Sequence, residues 1–522
     1  MLAFKKISKF STSWFWLGMA GIFLFSVALR FWGLSRFNTL VFDETYFVKF
    51  ANSYLSGSKF FDSQPPLGKY AIALGIWIGT HLPFPQEPHN NLAGSPLSPW
   101  TYRWLNALTG SLIPLVVAAI AYQLNRQRSY ALLAALFASL DGLFLVESRY
   151  ALLNIYLIIF GLLGQLCFLV GCAITGKRRW IYLGAAGINF GAAAAVKWNG
   201  LGFLLGAYLV WAAAWAQRRL TPKGAATRTK PKRAISSKTE MLPPPFYLPI
   251  LPAVINLAII PAIVYSLVWI PHLQLNPEYR FWEVHQQILG YHRHLGTGAD
   301  VHPYCSAWYG WPVTIRPVVY FYQNISAANG ESKIYHVLAM GNPALWWFST
   351  AAIGLLAWLL LKLGCRVWGV GCRAWKGCRV WGVGCRKERE ENFQQSPSHT
   401  SHTFHTPHTP YTPHPTPHTP HPTPYTLISY LLANYLANWL PWAAVDRCLF
   451  LYLYMGSCAF AWLAIAFVID RSLRSSLLSV RATAIGIILL IIFAFIFWMP
   501  VYLGLPLSPQ DWKLRMWLPS WI

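Results

Sequence analysis

Three carboxylates and a lysine cluster in a loop that follows the first hydrophobic segment. Asp43, Glu44, Asp62 and Lys69 flank a Pro-Pro turn within residues 42–70. Only 11% of the chain is charged, so this concentration beside a membrane segment is unusual. Such a loop can act on a substrate whose tail lies in the bilayer and whose head lies in water. The alternative is a solvated surface loop.

The elements that must position these side chains are membrane helices. Hydrophobic residues make up 55% of the 522 residues, and they cluster in runs of about 20, the length that crosses a bilayer as a helix. The pattern predicts an all-α polytopic membrane protein with about eleven spans, and the first is too long for a cleaved signal peptide. The predicted spans lie near residues 12–34, 101–123, 130–147, 150–172, 180–197, 199–217, 247–270, 343–363, 427–443, 449–470 and 482–502.

The net charge of +25 indicates a membrane topology rather than a nucleic-acid partner. When the spans are threaded alternately with the N-terminus inside, more than half of the 42 Lys and Arg residues fall on one side, as the positive-inside rule requires. The sequence therefore predicts a multi-pass protein of the cell inner membrane. Its N-terminus is expected to be cytoplasmic, and its C-terminus and the charged loop extracytoplasmic.

Two large extracytoplasmic loops and two cytoplasmic segments divide the chain. The stretch Tyr70–Phe84 is apolar but short, which predicts an interfacial or re-entrant helix rather than a span. The predicted regions are an N-terminal catalytic membrane region 1–217 with the first outer loop 35–100, a basic linker 218–246, membrane helices 247–363 with the second outer loop 271–342, a low-complexity insertion 364–426 and a C-terminal membrane region 427–522.

The insertion 364–426 combines a repeat with a Thr/Pro/His run. The sequence Cys365–Arg373 recurs identically at Cys378–Arg386. Metal binding is one interpretation, because Cys/His-rich tracts bind metals. However, the cysteines lack the close pairs of structural zinc sites. An unfolded insertion is favoured. The cysteines elsewhere lie mostly in predicted spans, so no disulfide framework is expected.

Ionisable residues within or beside the spans add to the charged loop. A charged group in hydrocarbon costs several kcal/mol unless it is paired or faces a wet cavity. Under the predicted topology these residues face the outer half of the membrane, where snorkelling to lipid headgroups is the alternative for each one. They are Arg103, Asp141, Glu147, Arg149 and Lys197. Together with the charged loop they predict one polar cavity that opens to the outside.

The order and spacing of these motifs resemble the protein O-mannosyltransferases, which are GT-C-type membrane enzymes that use a polyprenyl- or dolichyl-phosphate mannose donor. The resemblance covers nearly the whole chain, and the lack of an insert like the lumenal MIR domain implies the bacterial form. Gln64 departs from the family's usual His, and Asn154 from its frequent Asp. The motifs are Phe42-Asp43-Glu44, Phe60–Lys69, Arg103, Glu147-Ser148-Arg149, Val196–Leu201, His302–Ser306, Trp311-Pro312, Arg316-Pro317, Gly341-Asn342-Pro343, Leu440-Pro441-Trp442, Arg447 and Arg515–Leu518.

The resemblance implies transfer of mannose to Ser or Thr hydroxyls of proteins at the extracytoplasmic face, with inversion. It implies that Asp43 is the base, because a hydroxyl is a poor nucleophile until a positioned carboxylate accepts its proton. Glu44 and Asp62 are then supporting catalytic groups. Cations must stabilise the leaving phosphate. The predicted phosphate-binding residues are Arg103 as first choice, followed by Lys69, Arg149 and Lys197.

Acceptor or loop contacts are predicted for Gln64, His302, Trp311 and Arg316. Because cationic side chains can hold the phosphate, neither a metal nor another cofactor is predicted. The expected partners are polyprenyl-phosphate mannose, secreted or membrane proteins and the lipid bilayer, without nucleic acid. Two alternatives stay open: a GT-C transferase that glycosylates a lipid or glycan, as aminoarabinose lipid A transferases do, and a polyprenyl-lipid transporter or flippase.

Overall fold

The computed structural model describes most of the chain outside two long segments. The described residues are 2–83, 88–220, 246–296, 301–326, 332–367 and 424–522. The predicted linker 218–246 and the predicted insertion 364–426 lie almost entirely outside these ranges, so both stay predictions.

Helices form nearly all of the described N-terminal half. Helices α5 and α6 meet at an angle of 59°, where Asp141 caps α6 by accepting a hydrogen bond from the backbone N–H of Phe144 at 3.0 Å. The helices are α1 (Leu2–Phe31), α2 (Glu44–Ser56), α3 (Leu67–His81), α4 (Pro99–Asn125), α5 (Arg128–Ser139), α6 (Gly142–Arg149), α7 (Asn154–Ala173), α8 (Lys177–Val196) and α9 (Leu201–Leu220).

The described C-terminal half is also mainly helical. A π-helical turn, Ile255–Ile259, joins α10 to α11 in one long apolar helix, Ile250–Leu275. The helices are α10 (Ile250–Val254), α11 (Ile260–Leu275), α12 (Phe281–His294), α13 (Pro343–Val367), α14 (Pro424–Trp439), α15 (Met455–Leu473), α16 (Leu478–Leu503) and α17 (Pro509–Arg515).

The architecture is that of a multi-pass membrane protein, but the predicted number of eleven spans is not confirmed. In the described part of the chain, eight helices are long and apolar enough to cross a membrane, or nine if α5 and α6 form one bent span. Each predicted span coincides with a helix, except that 130–147 covers the bent pair α5 and α6. However, α8 is rich in Gly and Ala, and α14 has only 16 described residues. Neither meets the requirement for length and apolar character.

The helices pack most tightly around α15, whose apolar stretch is 94% buried within the protein, whereas only 33% of α16 is buried. Beside this centre, α7 and α8 approach each other closely. A Cβ atom at Gly164 would lie 2.6 Å from the Phe190 ring, so only glycine allows this approach. The contact brings the start of α7, at Asn154, near the residue that follows α8, Lys197.

Residues 271–342, predicted as the second outer loop, contain α12 and two strands of a small antiparallel sheet, which the all-α prediction did not include. The strands are β1 (Val318–Ser326), β2 (Ser332–Ala339) and, after α16, β3 (Pro506–Leu507), in the order β1-β2-β3. The register of β1 shifts between Val319 and Phe321, which leaves Tyr320 without a partner on β2. Such bulges redirect a side chain, and Tyr320 is 6% exposed.

A disulfide contradicts the expectation that the cysteines form no such framework. Cys305 in the second outer loop is bonded to Cys448 between α14 and α15, with the Cα atoms 5.1 Å apart. The backbone N–H of Ser306 also donates to the carbonyl of Leu449 at 2.8 Å. The error arose because the cysteines were placed mainly in spans, whereas these two lie between helices.

Candidate active site

Asp43 lies at the N-terminus of α2, directly after a strained residue. Phe42 has a φ of 53°, a conformation that costs free energy for a residue with a side chain and that clusters at functional sites. Its ring is held by stacking on Tyr320, with ring centres 4.2 Å apart and planes at 9°. The Asp43 carboxylate makes no capping hydrogen bond, and no other hydrogen bond engages it among the described residues.

The surroundings of Asp43 suit it to accept a proton. Burial raises the pKa of Asp43 to about 6, while the nearby Lys197 lowers it and Asp62 raises it. A general base works best when its pKa lies near the working pH, because it is then both ionised and basic. The geometry leaves this carboxylate free to receive a proton from a bound hydroxyl.

Glu44, beside Asp43 in sequence, is fully engaged by the protein. Its two carboxylate oxygens accept hydrogen bonds from Nε and Nη2 of Arg103 at 2.9 and 2.8 Å. They also accept bonds from the backbone N–H groups of Val41 and Ala151, both at 2.8 Å. A buried carboxylate with four donors has its hydrogen-bonding capacity filled and is held in place. This arrangement favours a structural role for Glu44, and its predicted supporting part in catalysis stays a prediction.

Arg103 is equally saturated. Its guanidinium has five N–H donors, and two of them bind Glu44. The others meet the backbone carbonyls of Leu34, Phe37 and Thr39 at 3.0, 3.0 and 2.7 Å. A phosphate can bind here only by displacing one of these acceptors. The geometry therefore favours Arg103 as the residue that fixes the loop after α1, and its predicted role in phosphate binding stays a prediction.

Arg149 is used in a similar way at the end of α1. Its guanidinium donates to the backbone carbonyls of Leu29 at 2.8 Å, Arg30 at 3.2 Å, Trp32 at 2.7 Å and Gly33 at 3.2 Å. Leu29 and Arg30 lie in the last turn of α1, where a helix leaves carbonyls without intrahelical partners, and a cation there also complements the helix dipole. The contacts favour a capping role over the predicted phosphate contact.

Lys69 and Asp62 form an ion pair on the two sides of the Pro-Pro turn. The Lys69 ammonium donates to Asp62 and, at 2.7 Å, to the backbone carbonyl of Gln64. Burial lowers the pKa of Lys69, and the neighbouring Asp62 offsets part of this effect. Pro66 is the N-cap residue of α3, directly before Leu67, so the turn folds the Asp62 carboxylate back onto Lys69. The pair thus fixes the loop close to Asp43.

Lys197, between α8 and α9, is less fully bonded. Its ammonium donates to Oδ1 of Asn154 at 3.0 Å and lies 5.2 Å from the ring centre of Tyr452. An ammonium has three N–H donors, and no further hydrogen bond of Lys197 occurs among the described residues. Two donors are therefore left for a ligand.

A cavity of about 470 Å³ opens beside Lys197. Its polar lining includes Gln64, Lys197, His292 and Arg447 together with Asn199 and Asn438, and its apolar lining includes Leu201, Leu205, Pro441 and Trp442. Leu201 and Leu205 are one turn apart on α9, so the cavity follows that helix. A site that combines cations with an apolar helix face suits an amphipathic anion with a hydrocarbon chain.

Two matches identify the family of the chain. A model described as dolichyl-phosphate-mannose-protein mannosyltransferase matches residues 20–276. A second, described as the C-terminal four TMM region of protein-O-mannosyltransferase, matches residues 278–386 and 410–521. The chain belongs to the protein O-mannosyltransferase family. The predicted family and enzyme class are thereby confirmed.

Individual relatives of this O-mannosyltransferase span almost its whole length. The polyprenol-phosphate-mannose–protein mannosyltransferase of Mycolicibacterium smegmatis is 24% identical over 92% of this chain and 88% of its own. The protein of the same name from Mycobacterium tuberculosis is 23% identical over 97% of this chain and 92% of its own. The structure of the S. cerevisiae protein O-mannosyltransferase Pmt1-Pmt2 complex bound to the sugar donor has a TM-score of 0.71 at 14% identity, and covers 97% of this chain and 92% of that one. This likeness confirms the predicted fold class.

Three of the predicted acceptor contacts of this O-mannosyltransferase organise the second outer loop. Trp311 is fully buried and donates to the Ser306 hydroxyl at 2.8 Å. Arg316 donates from Nε to a backbone carbonyl of the loop at 3.0 Å, and His302 accepts from a backbone N–H at 3.2 Å. None of the three lines the cavity, whereas Gln64 does. The acceptor roles of all four stay predictions.

Arg447 is the residue whose importance sequence reasoning missed. It lines the cavity, and among the described residues its one hydrogen bond is a long one, 3.5 Å from Nη1 to the carbonyl of Cys448. The sequence showed Arg447 only as part of a C-terminal motif. The signal that could have singled it out is the adjacent Cys448, had its pairing with Cys305 been foreseen.

Histidines do not form a metal centre in the described part of the chain, where no cluster of three His, Cys, Asp or Glu side chains could hold an ion. His292 lines the cavity, and its Nε2 lies 3.1 Å from the carbonyl of Ser63. Burial lowers the pKa of His292, and Arg447 adds to this effect. A neutral His292 that donates to this carbonyl shapes the cavity without adding charge.

Proposed function

We propose that this O-mannosyltransferase moves mannose from polyprenyl-phosphate mannose to Ser or Thr hydroxyls of proteins, with inversion at the anomeric carbon. The bacterial relatives carry the name of this reaction. The observation that carries the proposal is the position of Asp43, a carboxylate without a hydrogen-bond partner among the described residues. Asp43 does not itself line the cavity, but it lies near Lys197, which does.

In the proposed reaction, the acceptor oxygen attacks the anomeric carbon while its proton passes to the Asp43 carboxylate. The bond between the anomeric carbon and the phosphate oxygen breaks, and its electron pair leaves with polyprenyl phosphate. A β-linked mannosyl phosphate then gives an α-mannoside. The step needs a base on one side of the sugar and positive charge on the other.

Lys197 and Arg447 supply the positive charge in this scheme. Both line the cavity, and both retain N–H donors that the described residues do not use. The departing phosphate gains negative charge as the bond breaks, so charge-assisted hydrogen bonds to it are stronger in the transition state than in the bound donor. The first isoprene units would lie along Leu201 and Leu205 of α9.

We further propose that the active site faces the extracytoplasmic side of the cell membrane, with the N-terminus in the cytoplasm. Two features support this orientation. The positive-inside rule favours it, and the bond between Cys305 and Cys448 lies beside the cavity, as expected in an oxidising compartment. Alkaline phosphatase fused after Ile522 should be active, and an inactive fusion would contradict this orientation.

The direct test supplies membranes with labelled polyprenyl-phosphate mannose and follows the label. Label should appear in protein with wild-type enzyme and be lost with Asp43→Asn. Glu278→Gln is the matched control, because Glu278 is exposed and paired with Lys59 at 2.8 Å, away from the cavity. Label found only in lipid or glycan would contradict protein mannosylation, and translocation of intact donor without transfer would indicate a transporter.

A further inference from the structure

A chain of buried hydrogen bonds starts at Lys197 and leads away from the cavity. The Lys197 ammonium donates to Oδ1 of Asn154 at 3.0 Å, and Nδ2 of Asn154 donates to Oε1 of Glu147 at 3.1 Å. The hydroxyl of Tyr320 donates to the same oxygen of Glu147 at 2.5 Å. All four side chains are buried, and neither Glu147 nor Asn154 lines the cavity.

The chemistry of the groups fixes the direction of this chain. An ammonium can only donate, so the carbonyl oxygen of Asn154 must face Lys197. The NH2 group of the same amide must then face Glu147, whose oxygen accepts it. Lys197 and Glu147 are thus an opposite-charge pair separated by a neutral amide. Burying either charge alone would be costly, whereas burying both with this bridge is tolerated.

The other end of the chain reaches the loop that carries Asp43. Tyr320 is the bulged residue of β1, and its ring stacks on Phe42 with centres 4.2 Å apart. Phe42 has the strained backbone that precedes Asp43. Glu147 therefore accepts hydrogen bonds from two residues. One is Tyr320, which packs on the residue before Asp43, and the other is Asn154, which binds Lys197.

We propose that Glu147 and Asn154 are positioning residues for mannosyl transfer, which act on the reaction through Lys197 and Tyr320. Asn154 holds one N–H of the Lys197 ammonium, so that the other two point to the donor phosphate. Glu147 fixes the orientation of Asn154 and the place of Tyr320. This inference rests on the proposed function, since it assigns Lys197 to the phosphate.

Single isosteric changes at residue 154 or 147 should each disrupt the hydrogen bond between Asn154 and Glu147. In Asn154→Asp the new carboxylate still accepts from Lys197, but it cannot donate to Glu147 and is repelled by it. In Glu147→Gln the negative partner of Lys197 is lost. Each change should lower kcat roughly tenfold, while KM for the donor rises less than about threefold, because charge on the phosphate grows in the transition state.

The double variant Glu147→Gln/Asn154→Asp exchanges donor and acceptor in the hydrogen bond between residues 147 and 154, so this bond should form again. The NH2 group of the introduced amide, placed where Oε1 of Glu147 lies, can donate one N–H to the introduced carboxylate, which also accepts from Lys197. Its second N–H can donate to the Tyr320 hydroxyl, which then acts as the acceptor. We expect kcat to return to within about threefold of wild type. Retained folding is checked by thermal unfolding in detergent. Wild-type kcat in either single variant, or a double variant as impaired as the product of the two singles, would overturn the proposal.

A matched control and a second readout separate this inference from the proposed function. Asn106 is also a buried asparagine, but it is bonded to Leu152 and Tyr156 and takes no part in the hydrogen bonds between Lys197 and Tyr320. Glu147→Gln should therefore not rescue Asn106→Asp. The second readout is binding of polyprenyl phosphate to the purified enzyme. Affinity should fall in both single variants and recover in the double variant, and unchanged affinity would contradict the inference. Absence of transfer by wild-type enzyme would instead contradict the proposed function.

Discussion

Two pairs of cations near the charged outer loop differ in how they are bonded. Arg103 and Arg149 direct their donors at carbonyls and at Glu44, and they hold the ends of α1 and of the following loop. Lys197 and Arg447 each have one described hydrogen bond and line the cavity. The identity of a buried cation thus says less about its function than the number of its donors that the fold has already used.

The largest expected effect comes from replacing Arg103, whose N–H donors are all used by the fold. Arg103→Met leaves the buried Glu44 without its ionic partner, so we expect a loss of about 3–5 kcal/mol in the free energy of unfolding. Thermal unfolding in detergent measures it. Lys59→Met, which breaks only an exposed ion pair with Glu278, is the control. A folded Arg103→Met enzyme of normal stability that no longer binds polyprenyl phosphate would place Arg103 with the cavity cations instead.

Changes at the two cavity cations should lower turnover more than stability. Arg447→Gln should lower transfer roughly 100-fold, with thermal unfolding close to that of wild type. Lys197→Met should lower transfer as much, but it should also reduce the free energy of unfolding, because it leaves the buried Glu147 carboxylate without its cation. The measurement is initial rate of label incorporation against donor concentration. Equal loss of stability and activity would remove the distinction between the two pairs.

Removing the disulfide tests whether the bond at Cys448 positions the neighbouring Arg447. Cys305→Ser/Cys448→Ser frees the segment after α14, and we expect a loss of roughly tenfold in transfer because a cation displaced from the phosphate stabilises it less. Cys458→Ser is the control, since Cys458 is a free buried thiol on α15. If the double variant transfers at the wild-type rate, the cavity wall holds Arg447 without the bond.

The smallest expected effect is a shift in the pH profile. Asp43 must be ionised to act as a base, so kcat/KM should fall as the pH drops below about 6, the value to which burial raises its pKa. Lys197 lowers that pKa, so Lys197→Met should move the acid limb to higher pH. Arg149→Met should leave the limb in place. A limb that stays fixed in Lys197→Met would show that this ammonium does not act on Asp43.

Hydropathy and motif order predicted the parts of the molecule that depend on local sequence. The helices around the spans follow from apolar runs, and the motif singled out Asp43, but the helix that Asp43 precedes, α2, was not predicted. The pairing of Glu44 with Arg103 joins residues 59 apart in sequence, and the disulfide joins residues 143 apart. Contacts at such separations leave no periodic signal, so saturation of Arg103 and exposure of Arg447 to the cavity required the tertiary structure.

The bulge at Tyr320 is another feature that could not be predicted from the local sequence. A strand pattern can be read from β-branched and aromatic residues, but the extra residue that turns Tyr320 toward Glu147 is set by pairing with β2. Its partner Glu147 was predicted only to belong to the polar cavity and to the motif Glu147-Ser148-Arg149. The role of the pair in supporting Phe42 could not be inferred from either segment alone.

The cavity also determines when the enzyme becomes competent during its synthesis. Its walls draw on Gln64 before α3, Lys197 between α8 and α9, and Arg447 with Leu453 before α15. A nascent chain that has inserted only its first helices therefore carries Asp43 without the cations or the lipid groove. With Lys197 and Arg447 in the roles proposed above, mannose transfer begins only after translation has passed residue 453 and the helices that form the cavity have assembled.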